Sequence, residues 1–219
     1  MATDGCYGVN TQLAHFGESC PADGTPVVPP IYQNSLFTFP TMEGLLENMW
    51  NNPGGPPHHY SRVSNPSLEL LEKKLANLEG GESCKVFASG MTAITIAIMN
   101  QVKSGDHVIV VDGCYGPVKA LLTGYLPKYG VEATFVDGRD VDAIFAAVKP
   151  NTKLIYLESP TSLTFRLQDV PEVAKRAKER GIRTMIDATY NTPLMMKPLE
   201  MGIDIVCHSC TKYFSGHSD

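Results

Sequence analysis

Short apolar runs alternate with helical segments along most of the chain after residue 67. The runs HVIVV (107–111), KLIYLE (153–158) and RTMID (183–187) are almost uninterrupted by polar residues. Strands that are buried on both faces of a sheet have this composition, whereas half-exposed strands alternate apolar and polar residues. The sequence therefore predicts an α/β fold, with a mostly parallel sheet covered by helices on both faces.

The other predicted elements follow the same alternation. Further strands are predicted at CKVF (84–87), VEATFV (131–136) and DIVCH (204–208). Helices are predicted at SLELLEKKLANLEGG, MTAITIAIMNQV, residues 117–129, DVDAIFAAV and DVPEVAKRAKERG. The last of these begins with an Asp at the N-cap, has an early Pro and ends on a Gly, which are start and stop signals of helices.

Residues 1–60 lack this alternation and are rich in Pro and Gly, as in PVVPP (26–30) and NNPGGPP (51–57). They show little periodicity apart from a short helix predicted around TMEGLLENMW. We expect residues 1–60 to form an extended arm that packs against another surface. Residues 61–219 are then expected to form the compact domain.

The composition indicates a globular protein without a nucleic-acid or membrane partner. Of the 219 residues 43% are hydrophobic, and the formal net charge is −5 with the basic residues scattered along the chain. Nucleic-acid binding would require a clustered basic surface. No apolar run reaches the roughly 18 residues of a membrane span, and the N-terminus shows no secretory signal. We therefore expect a cytoplasmic protein whose six cysteines are reduced thiols.

Polar and chemically reactive residues follow the ends of the predicted strands. In open parallel sheets the ligand lies beyond the carboxyl ends of the strands, so these residues are expected to converge along one edge. They are Ser89, Gly90 and Met91 after the first strand, Tyr115 after the second, Glu158 and Ser162 at the fourth, Asp187 at the fifth, and Ser209, Thr211 and Lys212 after the last.

Most of these residues, taken singly, also have a structural interpretation. Ser89 and Gly90 can form a helix cap and a tight turn, although a free helix N-terminus also suits a phosphate. Tyr115 alone can be a packed aromatic residue. Asp187 is harder to explain in this way because a buried carboxylate needs a partner. A buried Lys212 is a similar anomaly, since burial would favour its neutral, nucleophilic form.

Taken together, the residues meet the requirements of pyridoxal phosphate. This cofactor needs an amine that holds its aldehyde as a Schiff base, a carboxylate that keeps its ring nitrogen protonated, donors for its phosphate and a flat group over its ring. Lys212, Asp187 and Tyr115 can supply the amine, the carboxylate and the flat group. The candidate phosphate donors are Ser89, Gly90, Met91, Ser209 and Thr211.

The pair Cys207-x-x-Cys210 around His208 offers a competing interpretation as a redox or metal site. A thioredoxin-type pair should open a helix, and zinc would normally need two more ligands at suitable spacing. Cys207 and His208 instead end an apolar strand, and the other close histidines, at 58–59, lie in a Pro/Gly loop. We therefore expect Lys212 to carry the chemistry, and we predict no metal site.

Six motifs occur in order along the chain. They are Y-S-R-x-x-N-P-S (60–67), S-G-M-T-A-I (89–94), G-D-H-V (105–108), E-S-P (158–160), D-A-T (187–189) and H-S-C-T-K-Y-F-S-G-H-S-D (208–219). Together they resemble the trans-sulfuration family of pyridoxal-phosphate enzymes, which includes cystathionine lyases and synthases, methionine γ-lyase and homoserine-ester sulfhydrylases. The resemblance runs from about residue 10 to the last residue.

The resemblance implies the fold of the large cofactor-binding domain of fold-type I, aspartate aminotransferase-like enzymes. It implies that Lys212 binds the cofactor aldehyde and later moves the Cα proton of the substrate. Asp187 would pair with the ring nitrogen, and Tyr115 would stack on the ring and take part in proton transfer or help to position the amino group. The implied phosphate donors are the N–H groups of Gly90 and Met91 and the hydroxyls of Ser209 and Thr211.

The resemblance also implies an assembly. In the family, the residues that match Tyr60 and Arg62 reach the phosphate of a neighbouring subunit, and the implied oligomer is a homotetramer of two active dimers. A role in a second chain would explain the extended arm at 1–60. The alternative is that Tyr60 and Arg62 are ordinary loop residues.

Two departures from the family pattern bear on the reaction. Ser162 stands where the family usually has an asparagine, within E-S-P-T-S-L-T (158–164), and D-A-T replaces the common D-N-T at 187–189. The E-S-P-x-S-x-T form resembles the bacterial cystathionine β-lyase branch. It implies α,β-elimination on a small sulfur-containing amino acid, with cystathionine giving homocysteine, pyruvate and ammonia. The γ-acting lyases and homoserine-ester enzymes remain the alternative.

The length is a third departure, because family members are roughly twice as long as these 219 residues. Their C-terminal domain carries the arginine that binds the substrate carboxylate. We therefore expect a fragment whose cofactor-binding domain at 61–219 is truncated. A different kind of protein also stays open, namely a truncated, non-catalytic relative that acts in binding or assembly.

Overall fold

The computed structural model describes residues 8–18, 26–52 and 57–216. The chain divides into two compact units, Met1–Val86 and Phe87–Asp219. The Pro- and Gly-rich residues 53–56 and the last three residues of the final motif lie outside the described residues. Within the described ranges, none of the helices has the length and apolar character needed to cross a membrane. The predicted division into an arm at 1–60 and a cofactor-binding domain at 61–219 stays a prediction.

The described part of the first unit contains α1 (Val9–His15), α2 (Met42–Asn51) and α3 (Pro66–Glu79). The short helix predicted around TMEGLLENMW is confirmed by α2, whereas α1 was not predicted. The side chain of Asn65 caps α3 by accepting a hydrogen bond from the N–H of Ser67 at 2.9 Å. Gly80 ends α3 in the left-handed conformation, with φ of 72°, which glycine adopts without a steric penalty.

Residues 84–87, predicted as the first strand, lie in irregular structure, so that prediction was wrong. The N–H of Val86 donates to Oε1 of Glu72 at 3.2 Å, and Nζ of Lys85 lies 2.7 Å from Oε2 of the same carboxylate. The backbone donor of Val86 is thus satisfied by a side chain, where in a strand a neighbouring strand would accept it.

The second unit is built on a five-stranded sheet with strand order β2-β1-β3-β4-β5 in which every pairing is parallel. The strands are β1 (His107–Val111), β2 (Glu132–Val136), β3 (Thr152–Glu158), β4 (Arg183–Asp187) and β5 (Ile205–Cys207). The parallel sheet predicted from the apolar runs is confirmed. After β2 the chain crosses back over β1 to reach β3, and it then continues outwards through β4 and β5.

The helices of the second unit are α4 (Gly90–Gln101), α5 (Gly116–Ala120), α6 (Val141–Ala146), α7 (Val170–Glu179) and α8 (Thr192–Met195). The N-terminal start of α7 is formed as predicted. The side chain of Asp169 caps the helix by accepting from the N–H of Glu172 at 3.2 Å, and Pro171 lies in the first turn. The helix predicted at 117–129 is α-helical only to Ala120. It continues as a π-helical turn, Leu121–Tyr125, and a 3₁₀ turn, Leu126–Tyr129.

The core of the second unit lies between the sheet and its helices. All five residues of β1 are buried, as are all residues of β3 except Lys153. Ile98 of α4, Ile144 of α6 and Val173 of α7 pack into the same apolar cluster. Burial of β1 and β3 on both faces explains why their sequences do not alternate.

Candidate active site

The carboxyl ends of β3, β4 and β5 lie side by side in register. Glu158 of β3 is paired with Asp187 of β4, which is paired in turn with Cys207 of β5. Neighbouring residues at the same register of a parallel sheet point to the same face. The last residues of three strands therefore bring Glu158, Asp187 and the start of the Ser209–Lys212 segment to one edge.

The topology places a switch point at this edge, between β1 and β3. The chain leaves β1 towards β2 and leaves β3 towards β4, so the two following loops diverge at this point. Such a switch point is where open α/β sheets bind ligands. The loops touch at Gly113, where an added Cβ would lie 2.9 Å from Cβ and Cγ2 of Thr161.

The N-terminus of α4 approaches the segment that follows β5. An added Cβ at Gly90 would lie 2.9 Å from Cβ and 3.1 Å from Cα of Ser209, so only glycine fits there without a shift. Ser89 caps the helix, because its hydroxyl accepts from the N–H of Thr92 at 3.1 Å. In the first turn of a helix, the N–H groups at the positions of Gly90 and Met91 have no intrahelical acceptor. They are suited to an anion beside the Ser209 hydroxyl.

Hydrogen bonds connect Asp187 to Ser209. The N–H of Thr189 donates to Oδ1 of Asp187 at 2.9 Å, and the N–H of Ser209 donates to Oγ1 of Thr189 at 2.8 Å. Asp187 is half-buried, whereas the sequence suggested full burial. A carboxylate can accept several hydrogen bonds, so the Asp187 carboxylate at the end of β4 can accept from a ligand as well as from Thr189.

Lys212 lies in the turn that follows β5, and its N–H donates to the carbonyl of Ser209 at 3.2 Å. Its side chain is exposed, and so is that of Thr211. The expectation of a buried Lys212 was wrong for this chain, because β5 ends at Cys207 and the lysine stands five residues beyond the buried strand. The amine is therefore accessible to a cofactor aldehyde.

Tyr115 follows β1 and is 45% exposed. Its N–H donates to Oε2 of Glu158 at 2.7 Å, and the N–H and hydroxyl of Ser162 both donate to Oε1 at 2.6 Å. Burial raises the pKa of Glu158 above its ordinary value, against the hydrogen bonds from Ser162 and Tyr115, which lower it. Sequence reasoning placed Glu158 at a strand end but gave it no role; the signal was an acidic residue that closes an apolar strand.

Tyr60 and Arg62 belong to the first unit. The guanidinium carbon of Arg62 lies 4.8 Å from the centroid of the Tyr60 ring, which is a cation–π distance. The two residues are thus associated with each other, and their contact with a neighbouring subunit stays a prediction.

The cysteine pair is divided between two environments. Cys207 is buried at the end of β5, and Cys210 is exposed in the following turn. The ring of His208 packs edge-on against Phe214 at 4.8 Å between centroids. In the part of the chain that the structure describes, no group of three or more His, Cys, Asp or Glu residues is arranged to hold a metal ion.

These residues fit pyridoxal phosphate. The fit rests on the close approach of Gly90 to Ser209, which leaves helix N–H donors beside a hydroxyl, and on the accessible amine and carboxylate at the same sheet edge. An aromatic residue, Tyr115, completes the set. The fold and this donor set are those expected of a pyridoxal-phosphate enzyme of fold-type I.

Comparison with known proteins gives the family. Residues 10–219 match the family model described as Cys/Met metabolism PLP-dependent enzyme. The chain belongs to this family, in which the trans-sulfuration enzymes are found, and the resemblance seen in its motifs is confirmed.

Relatives and solved structures agree with this assignment. The chain is 42% identical to L-methionine gamma-lyase of Pseudomonas putida over 97% of its own length and 53% of the relative. It is 43% identical to a cystathionine beta-lyase of Bacillus subtilis over 97% of its length and 52% of the relative. The crystal structure of a Campylobacter jejuni O-acetylhomoserine (thiol)-lyase, described as putative, matches with a TM-score of 0.86 and 32% identity, over 95% of this chain and 51% of that one. That structure contains N'-pyridoxyl-lysine-5'-monophosphate.

The chain thus spans about half the length of the curated relatives that it matches. Pyridoxal phosphate is the cofactor of the family, and the fold predicted from the resemblance is confirmed by the structural match.

Proposed function

We propose that this chain is the cofactor-binding part of a pyridoxal-phosphate-dependent carbon–sulfur lyase of sulfur amino-acid metabolism. The convergence of Asp187, Ser209 and the N-terminus of α4 at one sheet edge, one turn from Lys212, is the observation that supports it. When bound, the cofactor supplies an electron sink for charge that develops at the substrate Cα.

Each residue then has a defined task. The Lys212 amine binds the cofactor aldehyde and moves the proton at the substrate Cα. The Asp187 carboxylate holds a proton on the ring nitrogen. The N–H groups of Gly90 and Met91 bind the phosphate, together with the hydroxyls of Ser209 and Thr211. The Tyr115 ring covers one face of the cofactor and excludes water from it.

We favour α,β-elimination of cystathionine as the reaction of the whole protein. Cleavage of the Cβ–S bond and hydrolysis of the remaining fragment consume one water and give homocysteine, pyruvate and ammonia. The E-S-P-T-S-L-T stretch at 158–164 supports this choice, and a Bacillus subtilis cystathionine beta-lyase is among the similar relatives, at 43% identity.

A γ-acting lyase is the second candidate. It is supported by the 42% identity to the Pseudomonas putida L-methionine gamma-lyase. A γ-acting enzyme would cleave cystathionine on the other side of the sulfur and release 2-oxobutyrate. The predicted homotetramer, the contact of Tyr60 and Arg62 with a neighbouring subunit, and the cytoplasmic location stay predictions.

Cofactor binding is tested by reductive trapping. The 219-residue chain is incubated with pyridoxal phosphate, treated with borohydride and analysed by peptide mass spectrometry. We expect the adduct on Lys212, its loss in Lys212→Ala and its retention in Lys175→Ala, which changes an exposed lysine of α7. A chain that carries no adduct on Lys212 would instead support the non-catalytic relative.

The reaction is tested by product analysis. A form that spans the full length of the relatives is given cystathionine, and pyruvate and 2-oxobutyrate are measured. We expect pyruvate to predominate. Predominant 2-oxobutyrate would replace the β-lyase assignment by the γ-acting one.

A further inference from the structure

Glu158 occupies the switch point of the sheet, where the loop after β1 and the loop after β3 diverge. It is the last residue of β3 and is 6% exposed. One of its carboxylate oxygens accepts from the loop after β1, at the N–H of Tyr115, and the other accepts from the loop after β3, at Ser162. A single carboxylate thus joins the two loops that leave the sheet at the switch point.

The hydrogen bonds that Glu158 accepts are short, which indicates that they are strong. The distance from the Tyr115 nitrogen to Oε2 is 2.7 Å, and both Ser162 donors lie 2.6 Å from Oε1. Bonds of this length to an ionised carboxylate are about twice as strong as bonds between neutral groups. Asp187 lies beside Glu158 in the sheet, and its charge adds to the effect of burial in raising the pKa of Glu158.

We propose that Glu158 is a positioning residue that holds the Tyr115 ring at the cofactor site, with Ser162 as the second anchor of the same carboxylate. This inference rests on the proposed function for the role of Tyr115. It also gives Ser162 a task of its own, because its hydroxyl is directed to Glu158.

Glu158→Gln separates the two anchors. The glutamine oxygen can still accept from Ser162, but its NH₂ group then faces the N–H of Tyr115, so that two donors oppose each other. The loop after β3 then stays bonded to residue 158, and the loop after β1 loses its bond to that residue.

Ser162→Ala should affect the position of Tyr115 less than Glu158→Gln does, because it leaves the bond between Tyr115 and Oε2 intact. Glu132→Gln is the matched control, because it makes the same chemical change at a side chain that is 61% exposed on β2.

The first readout does not need the cofactor. Amide hydrogen exchange at Tyr115 is measured by NMR in the wild-type chain and in the variants. It should be at least about tenfold faster in Glu158→Gln than in the wild type, because a bond to a charged acceptor is lost. Exchange should be unchanged in Glu132→Gln. Equal exchange at Tyr115 in the wild type and Glu158→Gln would overturn the inference.

The second readout is the affinity for pyridoxal phosphate, with the circular dichroism of the bound chromophore. Glu158→Gln should weaken binding about tenfold and reduce the dichroic band. In a Tyr115→Ala background the same change should alter affinity by less than about twofold, because the effect passes through Tyr115. A full tenfold loss in that background would show a general structural role and overturn the inference. A wild-type chain that binds no cofactor would overturn the proposed function, and amide exchange would still decide whether Glu158 holds Tyr115.

Discussion

Gly90 is required by its surroundings and not by its backbone dihedral angles. An added Cβ would lie 2.9 Å from Cβ of Ser209 and 3.1 Å from its Cα, which belongs to the backbone and cannot rotate away. We expect Gly90→Ala to push the N-terminus of α4 away from Ser209. The free energy of unfolding should fall by about 1–3 kcal/mol, and affinity for pyridoxal phosphate should fall with it.

Denaturant unfolding and cofactor titration measure these two effects. Gly124→Ala is the control, because an added Cβ there meets nothing within 4 Å. This variant should keep wild-type affinity and should not be destabilised. Wild-type stability and affinity in Gly90→Ala would show that the helix terminus and Ser209 do not depend on close approach.

Asp187→Asn removes the negative charge of this side chain but keeps its hydrogen bond with the N–H of Thr189. The asparagine oxygen can still accept from the N–H of Thr189, which lies 2.9 Å from Oδ1 in the wild type. We therefore expect the free energy of unfolding to change by less than about 0.5 kcal/mol. The dissociation constant for pyridoxal phosphate should rise about tenfold or more, because the ring nitrogen loses its charged partner. Asp142→Asn, which changes an exposed side chain of α6, should leave that constant unchanged.

Residue types that carry chemistry could be read from the sequence, whereas their environments could not. Asp187 and Ser209 were expected at one edge because parallel strands end together, and the hydrogen bonds through Thr189 connect them. The exposure of Lys212 depends on where β5 ends, which the apolar run at 204–208 did not show. Glu158 accepts from Tyr115, which lies 43 positions earlier in the chain, and no local pattern predicts such a pair.

Among the elements, the strands predicted at 107–111, 131–136, 153–158, 183–187 and 204–208 are present, whereas the one predicted at 84–87 is not. CKVF has the composition of a strand, but the N–H of Val86 bonds to Glu72. The predicted helix at 117–129 changes to a π-helical turn at Leu121, and Pro127, which has no N–H to donate, lies in the first turn of the 3₁₀ segment. Composition favours an element, and the available hydrogen-bond partner decides whether it forms.

His107 links three strands at the end of the sheet opposite the candidate site. Its ring nitrogens lie 2.8 Å from Oγ1 of Thr152 on β3 and 2.8 Å from Oγ1 of Thr134 on β2, and the residue is fully buried. Burial lowers the pKa of His107, the charge of Lys149 lowers it further, and Glu132 opposes them. The neutral imidazole is therefore the form that the folded sheet accommodates.

This environment predicts a loss of stability in mild acid. The folded-state pKa is below the unfolded value, so the stabilisation is complete above about pH 6.5 and is lost as the pH falls towards the folded pKa. In that window His107 should contribute a slope of up to about 1.4 kcal/mol per pH unit to the free energy of unfolding. His107→Gln should lack this slope, while His15→Gln on exposed α1 should retain it. Identical slopes in the wild type and His107→Gln would refute the assignment.

The described part of the first unit exposes several apolar side chains. Val27, Ile31 and Trp50 are 91%, 80% and 78% exposed, and Leu68 and Leu71 on α3 are also exposed. We propose that this apolar surface is an interaction site, since contiguous apolar patches on a protein surface often contact a partner. The predicted association through the arm is consistent with this surface, and a second copy of the chain is the partner that the family resemblance implies.

Mixing two defective variants tests whether Arg62 serves the site of another subunit. Arg62→Ala and Lys212→Ala are unfolded together at equal amounts, refolded, and exposed to limiting pyridoxal phosphate before borohydride trapping. If Arg62 acts across the interface, a mixed dimer contains one site with both residues intact. About half of the dimers are mixed, so about a quarter of all sites should recover. If Arg62 acts within its own chain, mixing restores none.

The matched control replaces Arg62→Ala by the double variant Arg62→Ala/Lys212→Ala, which cannot form an intact site in either arrangement. Trapping in this control should stay at the level of Lys212→Ala alone. More adduct per Lys212 in the first mixture than in Arg62→Ala refolded alone would place Arg62 and Lys212 of different chains in one site. Because Arg62 lies over the Tyr60 ring, 4.8 Å from its centroid, Tyr60→Ala should behave as Arg62→Ala does when it is mixed with Lys212→Ala.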